Sequence, residues 1–334
     1  MLFRLRNVVK QYGRTAALRI DSLDIEAGVV TGFTGPNGAG KSTLLQVLAG
    51  LMEPTSGTVS FDGNTMYPDG DLDAARKRVT YLAQNPILFQ MSVRCNVAYG
   101  LKLRGAKRAN RLKAADEALE SVGLLHLAER RPRQLSAGEK QRIAMARALC
   151  LEPDVLILDE PTANVDRENI GIIEDLIRSM QDDGGTSTII ASHDHLQVGR
   201  LCDRFVALDA GRLAPPPFEN VFPGTIEERD GAFFFAGAGG IEIELVARRT
   251  GRAKIAVQPN EIILSRTRLD SSMRNSFPGT IRYIASHPDG GVCVTVDAGL
   301  PFAAAITKHS LEEMAFAVGD EVFVSFKSAG VIVF

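Results

Sequence analysis

The stretch Gly35-Pro36-Asn37-Gly38-Ala39-Gly40-Lys41-Ser42-Thr43 constrains what this chain can fold into more than any other segment. The residues before it, Val29-Val30-Thr31-Gly32-Phe33-Thr34, are apolar and β-prone, and those from Thr43 to Ala49 have helical character. The glycines therefore fall at a strand-to-helix turn. Spelling and context fit the G-x-x-x-x-G-K-[ST] loop that cradles a polyphosphate. Glycine allows phosphate oxygens to reach backbone N–H groups with no Cβ in the way. The following helix offers its unpaired N–H groups and positive dipole end to the same anion. In that arrangement Lys41 reaches the β- and γ-phosphates and the Ser42 hydroxyl ligates Mg²⁺.

The remaining chain adds carboxylates, an amide and an imidazole near strand ends. A strand at Phe3–Val9 leads to Tyr12, placed where a ring can stack on a purine or simply fill a turn. Strands are expected at Ala17–Ile25, Gly57–Asp62 and Val79–Ala83, the last ending at Gln84. Segments Ser92–Leu103 and Arg111–Val122 read as helices, with Leu112, Ala115, Leu119 and Val122 on one face. Lys102, Arg104, Lys107, Arg108, Arg111 and Lys113 form a basic run that is either a solvated face or a contact for a partner or anionic lipid. Leu135-Ser136-Ala137-Gly138-Glu139-Lys140-Gln141 opens a second helix at which an anion can dock, with Ser136 as its cap. A loop already wrapped around its phosphate leaves this helix start to serve the site of a second copy. The apolar strand Asp154–Leu158 ends in Asp159-Glu160. An acid at the end of a buried strand is costly without a cation, which suits Asp159 to Mg²⁺ and Glu160 to orienting or deprotonating water. Helix Glu168–Met180 and strand Ser187–Ser192 follow, the strand running into His193, and α/β sheets bind ligands at such strand ends.

With 334 residues there is chain for about two domains. A net charge of −2 exerts no general pull toward nucleic acid. No run approaches the ~18 apolar residues of a membrane span, and Met1–Arg6 lacks the apolar core of a signal peptide. The four cysteines, Cys95, Cys150, Cys202 and Cys293, lack CxxC spacing and are expected as buried free thiols.

These residues resemble the nucleotide-binding subunits of ATP-binding cassette (ABC) transporters over about residues 1–213. The loop Gly35–Ser42, Gln84, Leu135–Gln141, Val155–Glu160, Ala163-Asn164-Val165-Asp166 and His193 stand in that family's order. The resemblance implies an α/β P-loop NTPase cassette, a RecA-like core with a helical subdomain, that hydrolyses ATP to ADP and phosphate with Mg²⁺. It further implies that Tyr12 stacks on adenine, Gln84 senses Mg²⁺ and the attacking water, Glu160 is the base and His193 contacts the γ-phosphate. Ser136 and Gly138 would bind the γ-phosphate held by the other subunit of a homodimer, with Asp166 at the seam. Ala137 departs from the usual glycine, and Asn164-Val165 from the commonest Ala-Leu. The implied partners are an integral membrane permease and, indirectly, a solute-binding protein; the implied location is peripheral, on the cytoplasmic face of the cell (inner) membrane.

A Pro-rich linker at 214–219, with Pro215-Pro216-Pro217, precedes a β-rich second domain at 220–334. Asn220-Val221-Phe222-Pro223-Gly224-Thr225-Ile226 recurs as Asn275-Ser276-Phe277-Pro278-Gly279-Thr280-Ile281. Two OB-like repeats are expected, at about 220–266 and 271–334, each ending in a strand, Ile255–Leu264 and Val324–Val333. They resemble the accessory β-barrels of importer ATPases, notably the oxyanion-binding modules of molybdate and tungstate systems. That resemblance, closest in the second repeat, draws attention to Ser272, Arg274, Asn275, Thr307, Lys308 and Ser310 as donors to a tetrahedral oxyanion. The first repeat has Glu219 in place of Arg274. A barrel that only strengthens the dimer is the other reading, and sulfate or another solute remains open as cargo.

Overall fold

A computed structural model describes residues 1–163, 165, 167–182, 186–214, 220–286 and 291–334. The chain divides into two units, Met1–Pro216 and Pro217–Phe334. The first begins with β1 (Phe3–Tyr12), β2 (Thr15–Ile25), β3 (Val30–Thr34), α1 (Lys41–Leu48), β4 (Ser56–Phe61) and β5 (Asn64–Tyr67). It continues through α2 (Leu72–Arg78), β6 (Val79–Leu82), α3 (Val93–Val97), α4 (Tyr99–Leu103), α5 (Arg108–Ser121) and α6 (Ala137–Leu149). It ends with β7 (Val155–Asp159), α7 (Arg167–Asp182), β8 (Ser187–Ala191), α8 (His195–Leu201), β9 (Arg204–Asp209) and β10 (Arg212–Ala214).

Two sheets result, an antiparallel one ordered β2-β1-β4-β5 and a larger one ordered β10-β9-β3-β8-β7-β6. Strands β9, β3, β8, β7 and β6 run parallel. Every residue of β3, β7 and β8 is buried, as expected where both faces of a parallel sheet are covered. On one face Phe33, Ile157 and Ile189 pack with Leu44, Leu45 and Leu48 of α1 and with the antiparallel sheet. On the other, Leu156, Leu158 and Ile190 meet Met145 of α6, Ile173 and Ile177 of α7, and Val198 of α8. Phe33 and Asp159 both pair in register with Ala191, so β3, β8 and β7 end side by side.

The helical part is packed around Val93, Val97, Ala115, Leu119 and Ile143. The segment read as one helix over 92–103 is two short helices that meet at Ala98. Within it Asn96, fully buried, accepts from Phe89 N at 2.7 Å and donates to Phe89 O at 3.0 Å and Met91 O at 3.1 Å, fastening the loop after Gln84. None of the four cysteines forms a disulfide; Cys150 and Cys202 are buried as expected, but Cys95 is exposed on the short α3 and Cys293 is half-buried.

The second unit comprises β11 (Val221–Arg229), β12 (Ala232–Gly237), β13 (Glu242–Leu245), β14 (Gly251–Val257), β15 (Ile263–Ser265), β16 (Asn275–Ser286), β17 (Val292–Asp297), β18 (Pro301–Ile306), α9 (Lys308–Met314), β19 (Glu321–Phe326) and β20 (Val331–Val333). The repeat is present, but its terminal strands differ from expectation. Each breaks at a 3₁₀ turn, Pro259–Glu261 or Ser328–Gly330, and the last piece crosses to the other repeat's sheet. The sheets are therefore β13-β12-β11-β14-β20 and β15-β19-β16-β17-β18, each completed by a strand from the opposite copy. The physical reason is closure: each sheet pairs an edge that would otherwise stay bare, and together they enclose one core containing Phe222, Phe235, Phe302 and Phe326.

The repeated asparagines reinforce this exchange. Asn220 sits at φ 52°, a conformation asparagine tolerates, and its amide bonds Val257 O at 2.9 Å, Ala303 O at 2.9 Å and Ala303 N at 2.6 Å. Asn275 does the converse, bonding Glu244 N and O at 2.8 Å. Each repeat thus clamps the backbone of the other through one asparagine side chain, buried at Asn275 and half-buried at Asn220. Replacing Asn220 or Asn275 with Ala leaves backbone groups unpaired, and we expect each change to lower the stability of this unit by about 1–3 kcal/mol in urea unfolding of the full chain. A change below about 0.5 kcal/mol would contradict the clamp.

Candidate active site

The loop between β3 and α1 is shaped by backbone that only glycine accepts easily. Gly35 has φ 143° and a Cβ there would fall 2.0 Å from Leu208 O; Gly40 has φ 99°, with Ala17 O at 2.6 Å from the same imagined atom. Gly40 precedes α1 without any side-chain cap, so the first N–H groups of that helix are open to an anion. The loop borders a cavity of about 410 Å³ lined by Asn37, Gly38, Ala39, Gly40, Lys41, Ser42 and Thr43, together with Ala17, Gln84 and Glu160.

Lys41 is 6% exposed. Its ammonium donates to Gly35 O at 2.7 Å and Pro36 O at 3.2 Å and lies 3.9 Å from Glu160 Oε1. Glu160 leaves the strand direction immediately after β7, at φ 49°. A left-handed glutamate costs about 1–3 kcal/mol and persists only where its surroundings impose it. Here the Glu160 N–H donates to Ala191 O at 2.8 Å while the carboxylate, in a residue 7% exposed, turns toward Lys41 and His193. His193 Nδ1 is 2.8 Å from Glu160 Oε2, and the imidazole is otherwise largely exposed. The β3-β8-β7 order therefore brings the phosphate loop, His193 and Glu160 together, as the strand-end reading anticipates.

Asp159 is 3% exposed and has two unlike oxygens. Oδ2 accepts from the Tyr81 hydroxyl at 2.8 Å, whereas Oδ1 meets no donor among the described residues. Burial, and then the neighbouring Asp159 carboxylate, push the Tyr81 pKa upward, so the phenol remains a donor. An unpaired buried carboxylate oxygen calls for a cation. One carboxylate and the Ser42 hydroxyl suit Mg²⁺, which draws most of its oxygens from phosphate and water. Tyr81 and Asn96 escaped sequence reasoning; an apolar strand pattern gives no sign that a tyrosine hydroxyl meets a carboxylate on the neighbouring strand.

The other sequence candidates fall in several places. Tyr12 is half exposed, with its hydroxyl 2.8 Å from Met52 Sδ and the Lys10 ammonium 5.5 Å from its ring centre. Ser136 caps α6, accepting from Glu139 N at 3.2 Å while Glu139 Oε2 accepts from Ser136 N at 2.7 Å. That backbone bond holds the Glu139 carboxyl below its usual pKa. Gly138 is buried, and a Cβ on it would fall 2.8 Å from Asn169 Nδ2 of α7, so a larger residue there would require the Asn169 side chain to shift. Ala137 is exposed. Neither Ser136 nor Gly138 lines the cavity at the phosphate loop. Asn164 and Asp166 lie outside the described residues.

In the second unit, Ser272, Arg274, Thr307 and Lys308 are exposed. Asn275, 2% exposed, spends its amide on the clamp to Glu244. Thr307 caps α9 by accepting from Ser310 N at 3.0 Å, and the two hydroxyls lie 2.8 Å apart. A cavity of about 360 Å³ elsewhere in this unit is lined by Arg266, Gly279, Thr280, Asp297 and Glu321 among others, and by none of the six residues singled out for an oxyanion. Glu219 and the Pro215-Pro216-Pro217 linker lie outside the described residues.

Comparison with known proteins agrees with this geometry. The ABC transporter family matches residues 18–163 and the TOBE domain family residues 271–333. The molybdate/tungstate import ATP-binding protein WtpC of Pyrococcus abyssi is 33% identical over the whole of both chains. The Fe(3+) ions import ATP-binding protein FbpC 1 of Rhizobium meliloti is 34% identical over 98% of this chain and 96% of its own. Among solved structures, a dimeric post-hydrolysis state of the ATP-binding cassette MJ0796 with ADP and Pi covers 64% of this chain and 96% of its own, at 30% identity and a TM-score of 0.60. The chain belongs to the ATP-binding import subunits of ABC transporters and is an ATPase cassette carrying a C-terminal TOBE domain.

Proposed function

We propose that this ATPase energises uptake of molybdate or tungstate as a homodimer beneath a membrane permease, peripheral to the cytoplasmic face of the cell membrane. A solute-binding protein would deliver the cargo to the permease. Among the described residues no helix is long and apolar enough to cross a membrane, which suits a separate permease. The observation that carries the catalytic part is the convergence of buried Lys41 and Glu160 with the exposed His193 beside the phosphate loop. The full-length likeness to the molybdate/tungstate import protein supports the cargo. The Fe(3+) import relative, which also spans nearly the whole chain, makes ferric iron the second reading.

In this mechanism the loop N–H groups and Lys41 neutralise the ATP phosphates, with Tyr12 against adenine. Ser42 and Asp159 would hold Mg²⁺, which when bound would add charge stabilisation on the phosphate oxygens. Gln84 orients a water, and Glu160 takes its proton as the water oxygen bonds the γ-phosphorus. The bond from that phosphorus to the β,γ-bridging oxygen breaks and ADP leaves with the electron pair. His193, through Nδ1–H, keeps the Glu160 carboxylate aimed at the water. Ser136 and Gly138 of a second copy close over the γ-phosphate, with Asp166 at the seam, so hydrolysis releases the pair and the nucleotide acts as a mechanical switch. The Ser272, Arg274 and Lys308 region belongs to this proposal as an oxyanion contact that reports the cytoplasmic pool.

Glu160→Gln is expected to lower steady-state ATP hydrolysis by at least ~100-fold while ATP affinity stays within about threefold. Near-normal turnover would remove Glu160 from this role. For cargo, cells lacking this ATPase but retaining its permease are expected to lose uptake of labelled molybdate and tungstate and to regain it with the native chain but not with Lys41→Ala. Unchanged oxyanion uptake together with lost ferric uptake would support the second reading.

A further inference from the structure

Tyr81 does more at this site than fill a strand position. Its hydroxyl donates to Asp159 Oδ2 at 2.8 Å and so ties the strand that leads to Gln84 to the strand that leads to Glu160. Tyr81 pairs in register with Ile157, two residues short of Asp159, and so reaches the carboxylate from alongside.

The terminal torsion of an aspartate is broad, so a buried carboxylate with no outer contact can present either oxygen. Here one is occupied by the phenol and the other, Oδ1, meets no donor among the described residues. An outer hydrogen bond of this kind orients a metal-binding group before the metal arrives, and its loss commonly weakens metal affinity by roughly 10–100-fold. We infer that Tyr81 is a positioning residue for the divalent cation, fixing Asp159 so that Oδ1 faces the metal and joining that orientation to the strand that carries Gln84. The inference rests on the reading that Asp159 serves the cation.

The test is Mn²⁺ binding to the full chain at saturating ATP, followed by electron paramagnetic resonance in a Glu160→Gln background so that nucleotide persists. Tyr81→Phe keeps the ring and removes the hydroxyl. The expected result is Mn²⁺ affinity weaker by about tenfold, with ATP affinity in EDTA within twofold of the parent. In the Glu160-containing enzyme the Mg²⁺ concentration for half-maximal hydrolysis rises by a similar factor while kcat at saturating Mg²⁺ stays within about threefold. Mn²⁺ affinity within twofold of the parent, or an equal loss of metal-free ATP binding, would overturn the inference. Asp159→Asn separates the two levels. If it abolishes Mn²⁺ binding while Tyr81→Phe does not, only the role of Tyr81 fails; if it too leaves Mn²⁺ affinity unchanged, the reading of Asp159 fails first.

Discussion

A buried ammonium and a buried carboxylate, Lys41 and Glu160, face each other 3.9 Å apart at the end of the central sheet. At that separation their attraction is ~4 kcal/mol for an effective dielectric of about 20, while withdrawing the two charges from water costs several kcal/mol each. The pair therefore does not stabilise the fold, and the left-handed backbone at Glu160 adds further cost. Such an arrangement makes sense as a site prepared for a ligand that brings its own charges. In the proposed site a polyphosphate would satisfy Lys41 and the open start of α1, and a divalent cation would satisfy Asp159 Oδ1. The apolar packing on both faces of β3, β7 and β8 holds these groups in place.

The second unit solves a different problem. Two copies of a short antiparallel sheet would each leave an edge bare and bury little, but exchanging β15 and β20 lets them share one core. Glycine at matching places in the two repeats lets neighbouring strands of the same copy come close: a Cβ at Gly224 would lie 2.3 Å from Ala236 O, and one at Gly279 would lie 2.7 Å from Asp297 O. Exposed cations such as Arg274 and Lys308 are then surface features added to a frame whose stability they do not set.

Much of the first unit is legible in sequence because its chemistry is written in short local runs. The glycines of the loop, the apolar strand ending in Asp159-Glu160 and the strand ending at His193 announce their positions by period and punctuation alone. What escapes is the information carried between distant segments. Tyr81 acquires meaning only once β6 lies beside β7, and Asn96 only once its helix folds back on Phe89 and Met91. Gly138 offers a subtler lesson. Read as a site for ligand approach, it also sits tightly against Asn169 of the same chain, so its presence alone does not distinguish the two. The repeat in the second unit is visible as matching residues, yet strand exchange is a choice of partner, and both partners carry compatible alternation.

In the proposed dimer, Ser136 and Gly138 of one copy face the loop that carries Lys41 in the other. Mixing tests this directly. A Lys41→Ala chain and a Ser136→Arg chain are each expected to be inactive alone, whereas a mixed dimer regains one intact pairing of loop and helix start. ATP hydrolysis should therefore reappear when the two variants are combined, at a level below that of the native dimer. Full activity of Ser136→Arg alone, or no recovery in a verified mixed dimer, would contradict it.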